Sequence, residues 1–256
     1  MFDADAADTA DFLAQMVSVQ TAEDLWSLLT ARMTGYGFDR LIYGLTRNAE
    51  KDAVGPELDW VVLSNDSPEY IRRFLTPDTI RSAPMLRWTL NHFGAQSWRD
   101  VQERASLGQL SDPELRHLDF NKSMQIVAGY TISFFTTGSR QRAALALTAR
   151  PGLTQGDVDN IWAQYGRDIE IINNVAHLKI MSLPNLGLIR LSSRQKEVLE
   201  AVGDGKPATE IAVLLGNSVA MVEKHLRLAR ESLGVDTTAQ ALLKAAFLNQ
   251  VYVRTG

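Results

Sequence analysis

The stretch EIAVLLGNSVAMVEKHLRLARESLGV, residues 210–235, decides how the C-terminal part of this chain folds. Ile211 and Leu214 sit three residues apart, on one face of a short helix. Gly216-Asn217 then marks a tight turn. Ser218 is an N-cap for a second helix, in which Val222, Leu226 and Leu233 recur at helical spacing and face inward. A short helix, a turn and a longer helix make helix-turn-helix geometry, where the second helix enters a DNA major groove and the first braces it. An ordinary helical hairpin has the same spacing, so spacing alone leaves both readings open.

Working outward, two more helices complete a compact module. Ser192 with Gln195 forms a capping box that opens a helix over Ser193–Val202. The helix carrying Ile211 spans Ala208–Leu215 and is entered through Pro207. The next spans Val219–Leu233, closed by Gly234. A fourth runs over Thr238–Val251. Residues 190–256 hold 9 Lys/Arg and 7 Asp/Glu, against 17 and 23 in residues 1–189, so a mildly basic module sits on an acidic body. That balance suits nucleic-acid binding by one small module, and a chance excess of a few charges reads the same.

Upstream, SLPNLGLIR (182–190) has the Pro and Gly of a linker. Before it, Ala7–Val19 and Thr21–Gly35 are helical, and DRLIYGLT (39–46) and LDWVVLSN (58–65) read as strands. The polar segment between the two strands (47–57) is a loop. Short helical pieces follow between Ser67 and Gln125, broken at Pro77, Pro84 and Pro113. Strand character returns in IVAGYTISFF (126–135) and QRAALALTA (141–149), and a long amphipathic helix covers Thr154–Met181. The expected fold is α+β: an N-terminal α/β/α sandwich with an antiparallel sheet (1–181), a linker (182–190), and an all-α four-helix helix-turn-helix domain (191–256).

The chain has 256 residues and no cysteine, which excludes disulfides, thiolate metal sites and a thiol nucleophile. No apolar run reaches the roughly 18 residues of a membrane helix, and the acidic N-terminus lacks the basic start of a targeting segment. The expectation is a soluble cytoplasmic protein with no membrane association. His92, His117, His177 and His225 are scattered without metal spacing, no glycine loop cradles phosphate, and the Asp157/Asp159 pair decorates a helix start. The chain therefore reads as no enzyme, with no cofactor.

Residues 191–242 resemble the LuxR-type DNA-binding domain over its whole length. The resemblance is carried by Ser192, Glu197-Val198-Leu199, Gly205, Glu210-Ile211-Ala212, Ser218, Val222, His225 and Leu233-Gly234-Val235. It implies a homodimer on two half-sites of double-stranded DNA. Arg194, Lys206, Ser218, Lys224, Arg227 and Arg230 are the contacts it points to, and Leu242, Leu243, Ala246, Phe247 and Val251 offer a self-complementary face, part of which must pack inward. Departures stand at Pro207, Met221, Glu223, Ser232 and Thr238. Glu223 in particular places a negative charge where the family has a basic or polar residue.

Residues from about 10 to 181 resemble the autoinducer-binding domain of the same family. The helix–helix–strand opening, SNDSPEYIRRF (64–74), the spacing from Pro84 to Trp98, and GYTISF (129–134) carry it. The resemblance implies a small hydrophobic signal in a pocket. Trp98 matches the tryptophan lining the lactone end, Phe74 a pocket tyrosine, Tyr70 a tryptophan that donates to the lactone carbonyl, and Asp66 another tyrosine. Met85 and Leu86 fall on the apolar part. Ala83 falls where an aspartate accepts the ligand's amide N–H. A hydrogen bond to a charged acceptor contributes roughly 1.5–3 kcal/mol, so its loss weakens an acyl-homoserine lactone by roughly 10- to 100-fold. The expectation is a transcription regulator with a non-standard ligand, or one that needs none. The alternative is an inhibitory partner of another such regulator that binds no DNA by itself.

Overall fold

The computed structural model describes residues 6–49, 53–55, 60–184 and 189–253. It divides into two compact units, Met1–Met181 and Ser182–Gly256. Residues 185–188 of the expected linker, 50–52 and 56–57 of the expected loop, and 58–59 of the second expected strand lie outside the described residues. No helix among the described residues is long and apolar enough to cross a membrane.

The first unit opens with α1 (Ala6–Ser18) and α2 (Ala22–Gly35), the latter capped by the Thr21 hydroxyl, which accepts the Asp24 N–H at 3.1 Å. β1 (Phe38–Thr46) and β2 (Val61–Ser64) follow. Then come α3 (Pro68–Phe74), α4 (Pro77–Ser82), α5 (Pro84–Thr89), β3 (Gly94–Ser97), α6 (Arg99–Ser106) and α7 (Asp112–Ser123). Pro77, Pro84 and Pro113, read from sequence as breaks, each sit in the first turn of a helix. There the missing N–H has no partner to lose and the fixed φ suits the helix. β4 (Gly129–Phe134), β5 (Arg142–Ala149) and the long α8 (Gln155–Ser182) complete the unit.

The described strands form one antiparallel sheet in the order β2-β1-β5-β4-β3. The central strand, RAALALTA, explains what each face does. Leu145 and Leu147 point to one side, in register with Tyr43, Leu41, Tyr130 and Ile132, and all six are buried. This side is covered by α8, where Tyr43 Oη lies 2.9 Å from His177 Nδ1, Phe134 stacks on His177 and Tyr130 stacks on Trp162. Helix α2 packs on the same side, and its Met33 meets Asn173 of α8. Each such large side chain contributes roughly 1.5–3 kcal/mol on burial. Ala144, Ala146 and Thr148 point the other way, aligned with Gly44, Ile42, Ser133 and Thr131. That face of small side chains lies under α3–α7, and Ser133 Oγ donates to the Thr89 carbonyl of α5 at 3.2 Å. The result is the α/β/α sandwich.

The second unit is α9 (Ser193–Gly203), α10 (Ala208–Leu214), α11 (Val219–Leu233) and α12 (Thr238–Phe247). Val198, Leu199, Ile211, Val222, Leu226, Leu233, Ala241 and Ala245 form its core. Gly234 ends α11 at φ 63°, the left-handed conformation that glycine adopts without steric cost. The last helix stops at Phe247 rather than Val251. Asn249 turns to φ 50°, and the fully buried Gln250 accepts the Leu191 N–H at 2.9 Å and donates to the Ile189 carbonyl at 2.6 Å. Val251 is 4% exposed, so it belongs to the interior and not to an external face.

Candidate functional site

Between the small-residue face of the sheet and α3–α7 lies a cavity of about 190 Å³ with a mostly apolar wall. Sequence makes this space directly. With Ala, Gly and Thr along β1, β4 and β5, the sheet presents a floor that large residues would fill. The floor residues Ile42, Gly44, Ala144 and Ala146 are only half-buried although they lie under helices, because the cavity opens above them.

Six of the seven residues expected to line a pocket meet there: Tyr70, Phe74, Ala83, Met85, Leu86 and Trp98. Tyr70 is 3% exposed and stacked against Phe74 and Phe120, with ring centroids 5.6 and 5.4 Å away. Trp98 donates its indole N–H to Thr131 Oγ1 at 2.9 Å, and its ring passes close to Gly129. A Cβ on Gly129 would stand 2.9 Å from the Trp98 ring and 2.2 Å from the Leu147 carbonyl oxygen, so the glycine of GYTISF lets the tryptophan in. Ala83 is 3% exposed at the junction of α4 and α5, the N-cap of α5 with no side-chain cap.

Asp66 does not join them. It sits ahead of α3, where its Oδ1 accepts the Ser67 N–H at 2.7 Å, and it is not a lining residue. Burial pushes its carboxyl above the usual carboxylate range, and Oδ2 has no hydrogen-bond partner. The loop backbone holds this group, which takes it away from the wall.

The wall also contains polar residues that the sequence reading did not place, among them His117, Asn121, Trp60, Thr131 and Arg142. His117 and Asn121 are one helical turn apart on α7, with Asn121 Nδ2 3.2 Å from His117 Nε2. Tyr70 Oη donates to Asn121 Oδ1 at 3.2 Å. Burial lowers His117 to a pKa of about 4, so it is neutral near pH 7. The i, i+4 spacing of His117 and Asn121 in DPELRHLDFNKS was the available signal, since such pairs share a helix face. Among the described residues no Asp or Glu lines the cavity.

In the second unit, α11 exposes Val219, Met221, Glu223, Lys224 and Arg227. Lys224 pairs with nothing among the described residues. Arg227 pairs with Glu231 at 2.6 Å, Arg194 with Glu197 at 2.6 Å and Lys206 with Glu210 at 3.4 Å. Exposed pairs of this kind contribute little, roughly 0–1 kcal/mol, so they release readily to a phosphate. Arg230 is half-buried and donates to Thr238 Oγ1 at 3.0 Å, tying α11 to the start of α12. Ser218 is occupied as the N-cap, its Oγ accepting the Met221 N–H at 3.2 Å. On the last helix Leu243, Ala246 and Phe247 are exposed, whereas Leu242 is half-buried.

A cavity in one unit and a helix-turn-helix in the other are the architecture of a DNA-binding transcription regulator. Residues 21–180 match the autoinducer binding domain family, and residues 188–233 match sigma-70 region 4. The chain belongs to the LuxR-type transcriptional regulators, with an autoinducer-binding and a DNA-binding domain. Among its relatives, the transcriptional activator protein EchR of Dickeya chrysanthemi is 24% identical over 87% of this chain and 89% of its own. ExpR of Dickeya dadantii is 23% identical over 88% and 90%. The crystal structure of Escherichia coli SdiA shares the fold at a TM-score of 0.53 and 13% identity, covering 96% of this chain and 99% of that one.

Proposed function

We propose that this regulator binds DNA as a homodimer and responds to a small, neutral, largely apolar signal other than a common acyl-homoserine lactone. The observation that supports the reading is the wall itself: Ala83 lines it, at the position where the resemblance expects a carboxylate, and among the described residues no Asp or Glu lines it. A lactone amide N–H would enter without its charged acceptor. The volume, about 190 Å³, lies below the roughly 300–1,000 Å³ of drug-sized sites, which favours a compact ligand. Lys224, Arg227, Arg194 and Lys206 are the proposed phosphate or base contacts. Ser218 contributes through the helix start that it caps, and Arg230 by holding α11. Few contacts per module make two half-sites about one helical turn apart the natural target. The exposed Leu243, Ala246 and Phe247 support self-association through the last helix. The protein works in the cytoplasm, and no catalytic role is assigned.

A thermal-shift panel of acyl-homoserine lactones tests this reading. No lactone at micromolar concentration should stabilise the protein strongly, and one that does refutes it. Mass spectrometry of small molecules released from protein purified out of its native cells should instead find a neutral compound. A second reading draws on Glu223, exposed on α11 beside Lys224: an inhibitory partner that pairs with another LuxR-type regulator. In an operator-shift assay such a protein binds no DNA by itself yet suppresses its partner.

A further inference from the structure

Helix α11 presents two neighbouring charges, Glu223 and Lys224, that make no hydrogen bond or ion pair among the described residues. Elsewhere in the helical module carboxylates are held at home: Glu197 by Arg194, Glu210 by Lys206, Glu231 by Arg227, and Glu200 and Asp204 by Tyr252. Arg227 stands four residues on from Glu223, the spacing of a helical ion pair, yet it reaches forward to Glu231 at 2.6 Å. Val222, Leu226, Ala229 and Leu233 turn into the core, so Glu223, Lys224 and Arg227 stand exposed away from that stripe. Glu223 is the fifth residue of the helix, within the N-terminal turns that meet base edges when a helix-turn-helix docks. Ala220, exposed one turn ahead of Lys224, is small and lets the helix approach closely.

A carboxylate on this face has a narrow choice of partner. It only accepts hydrogen bonds, and phosphate oxygens also accept, so the DNA backbone repels it. The donors that a major groove offers are the N4 amino group of cytosine and the N6 amino group of adenine. Adenine sets its N7 acceptor beside N6, which opposes a carboxylate, whereas a C–H stands beside N4 on the cytosine ring. We propose that Glu223 is a base-reading residue of this regulator and selects cytosine through its N4 amino group. This rests on the reading of α11 as the helix that enters the groove. Lys224 donates to guanine O6 and N7 or to a phosphate, and with Arg227 it offsets the charge that Glu223 brings to the backbone. Glu223 thus weakens binding to DNA at large and sharpens the choice of site.

The test is selection from random duplex DNA with the full chain expressed in its native cells, alongside Glu223→Gln and Glu223→Ala. The parent protein should enrich a cytosine at one position of the bound site by about 5- to 50-fold over the other bases. Glutamine pairs with adenine N6 and N7, so Glu223→Gln should move the preference at that position to adenine. Glu223→Ala should erase it while the remaining positions keep theirs. Both variants lose a negative charge and should bind every sequence more tightly at low salt, so the effect is read in the ratio between bases. Glu223 is exposed, and an unchanged Tm checks that neither substitution disturbs the fold. Base preferences that are the same in all three proteins overturn the proposal and leave α11 as a DNA-binding helix on which Glu223 acts by charge alone. Enrichment of no sequence by the parent protein overturns the groove reading of α11 and the base contact together, and favours the inhibitory partner.

Discussion

Replacing Ala83 by aspartate supplies the carboxylate that the proposed site is read as lacking, and the structure sets the size of each consequence. The residue is 3% exposed, so a carboxylate there loses its hydration, at a cost of several kcal/mol for a buried ion. Ala83 is also the uncapped N-cap of α5, where an Asp side chain accepts the N–H of the second or third helical residue and contributes about 1 kcal/mol. The loss outweighs the gain, leaving the ligand-free variant less stable by roughly 1–3 kcal/mol. At roughly 2–4 °C per kcal/mol for a unit of this size, Tm falls by about 2–12 °C at pH 7. Burial raises the new carboxyl above its unfolded value of about 3.9, so the penalty is present at neutral pH and fades as the group is protonated in acid. An acyl-homoserine lactone now finds an acceptor for its amide N–H and should bind roughly 10- to 100-fold more tightly than to the parent. At a hundredfold excess over Kd it returns about 2.7 kcal/mol of stability. Calorimetry and thermal shift on both proteins decide the matter. Lactone affinity equal in the two refutes the reasoning, because residue 83 would then have no bearing on the ligand.

Ala146→Leu raises the cavity floor; the domain should fold with a loss of about 1–3 kcal/mol from crowding, while stabilisation by any cavity ligand disappears. A ligand response that survives places binding elsewhere. Glu223→Lys removes a negative charge from the exposed face of α11 and adds a positive one. Operator affinity should rise at low salt, with the salt slope steeper by about one phosphate contact, and an unchanged slope shows that this face does not meet DNA. His117 and His177 are both buried and lowered by that burial to about 4, against roughly 6.5 when unfolded. Their contribution is complete above pH 6.5 and is lost as pH falls toward 4, roughly 3 kcal/mol for each. His177→Gln should flatten the stability profile over that window in a denaturant titration; an unchanged profile refutes the assignment.

Local signals in the sequence define the C-terminal module closely. The boundaries of α11, Val219–Leu233, follow from a serine cap, a heptad-like apolar stripe and a terminal glycine, all of which act within a few residues of one another. β1 and β5 were equally legible, because β-branched, aromatic and alternating apolar residues mark a strand covered by helices. β3 was not. GAQS has no strand-forming side chain, and it is extended only because β4 offers an edge to pair with. The end of α12 was likewise out of reach, since Gln250 stops it through hydrogen bonds to residues some sixty positions away.

The same division runs through the site. The sequence placed Tyr70, Phe74, Ala83, Met85, Leu86 and Trp98 together through their resemblance to a family pattern, and marked Ala83 as the position where that pattern has a carboxylate. Tertiary structure alone decided that Asp66 turns to its own loop and that alanines of β5 open a floor. It alone brought Tyr70 from α3 against Asn121 and His117 on α7. Capping and periodicity are short-range forces and are written in neighbouring residues. A cavity and the hydrogen bonds of a buried histidine depend on which distant side chains the packed sheet and helices bring within about 3 Å, and no stretch of sequence contains that distance.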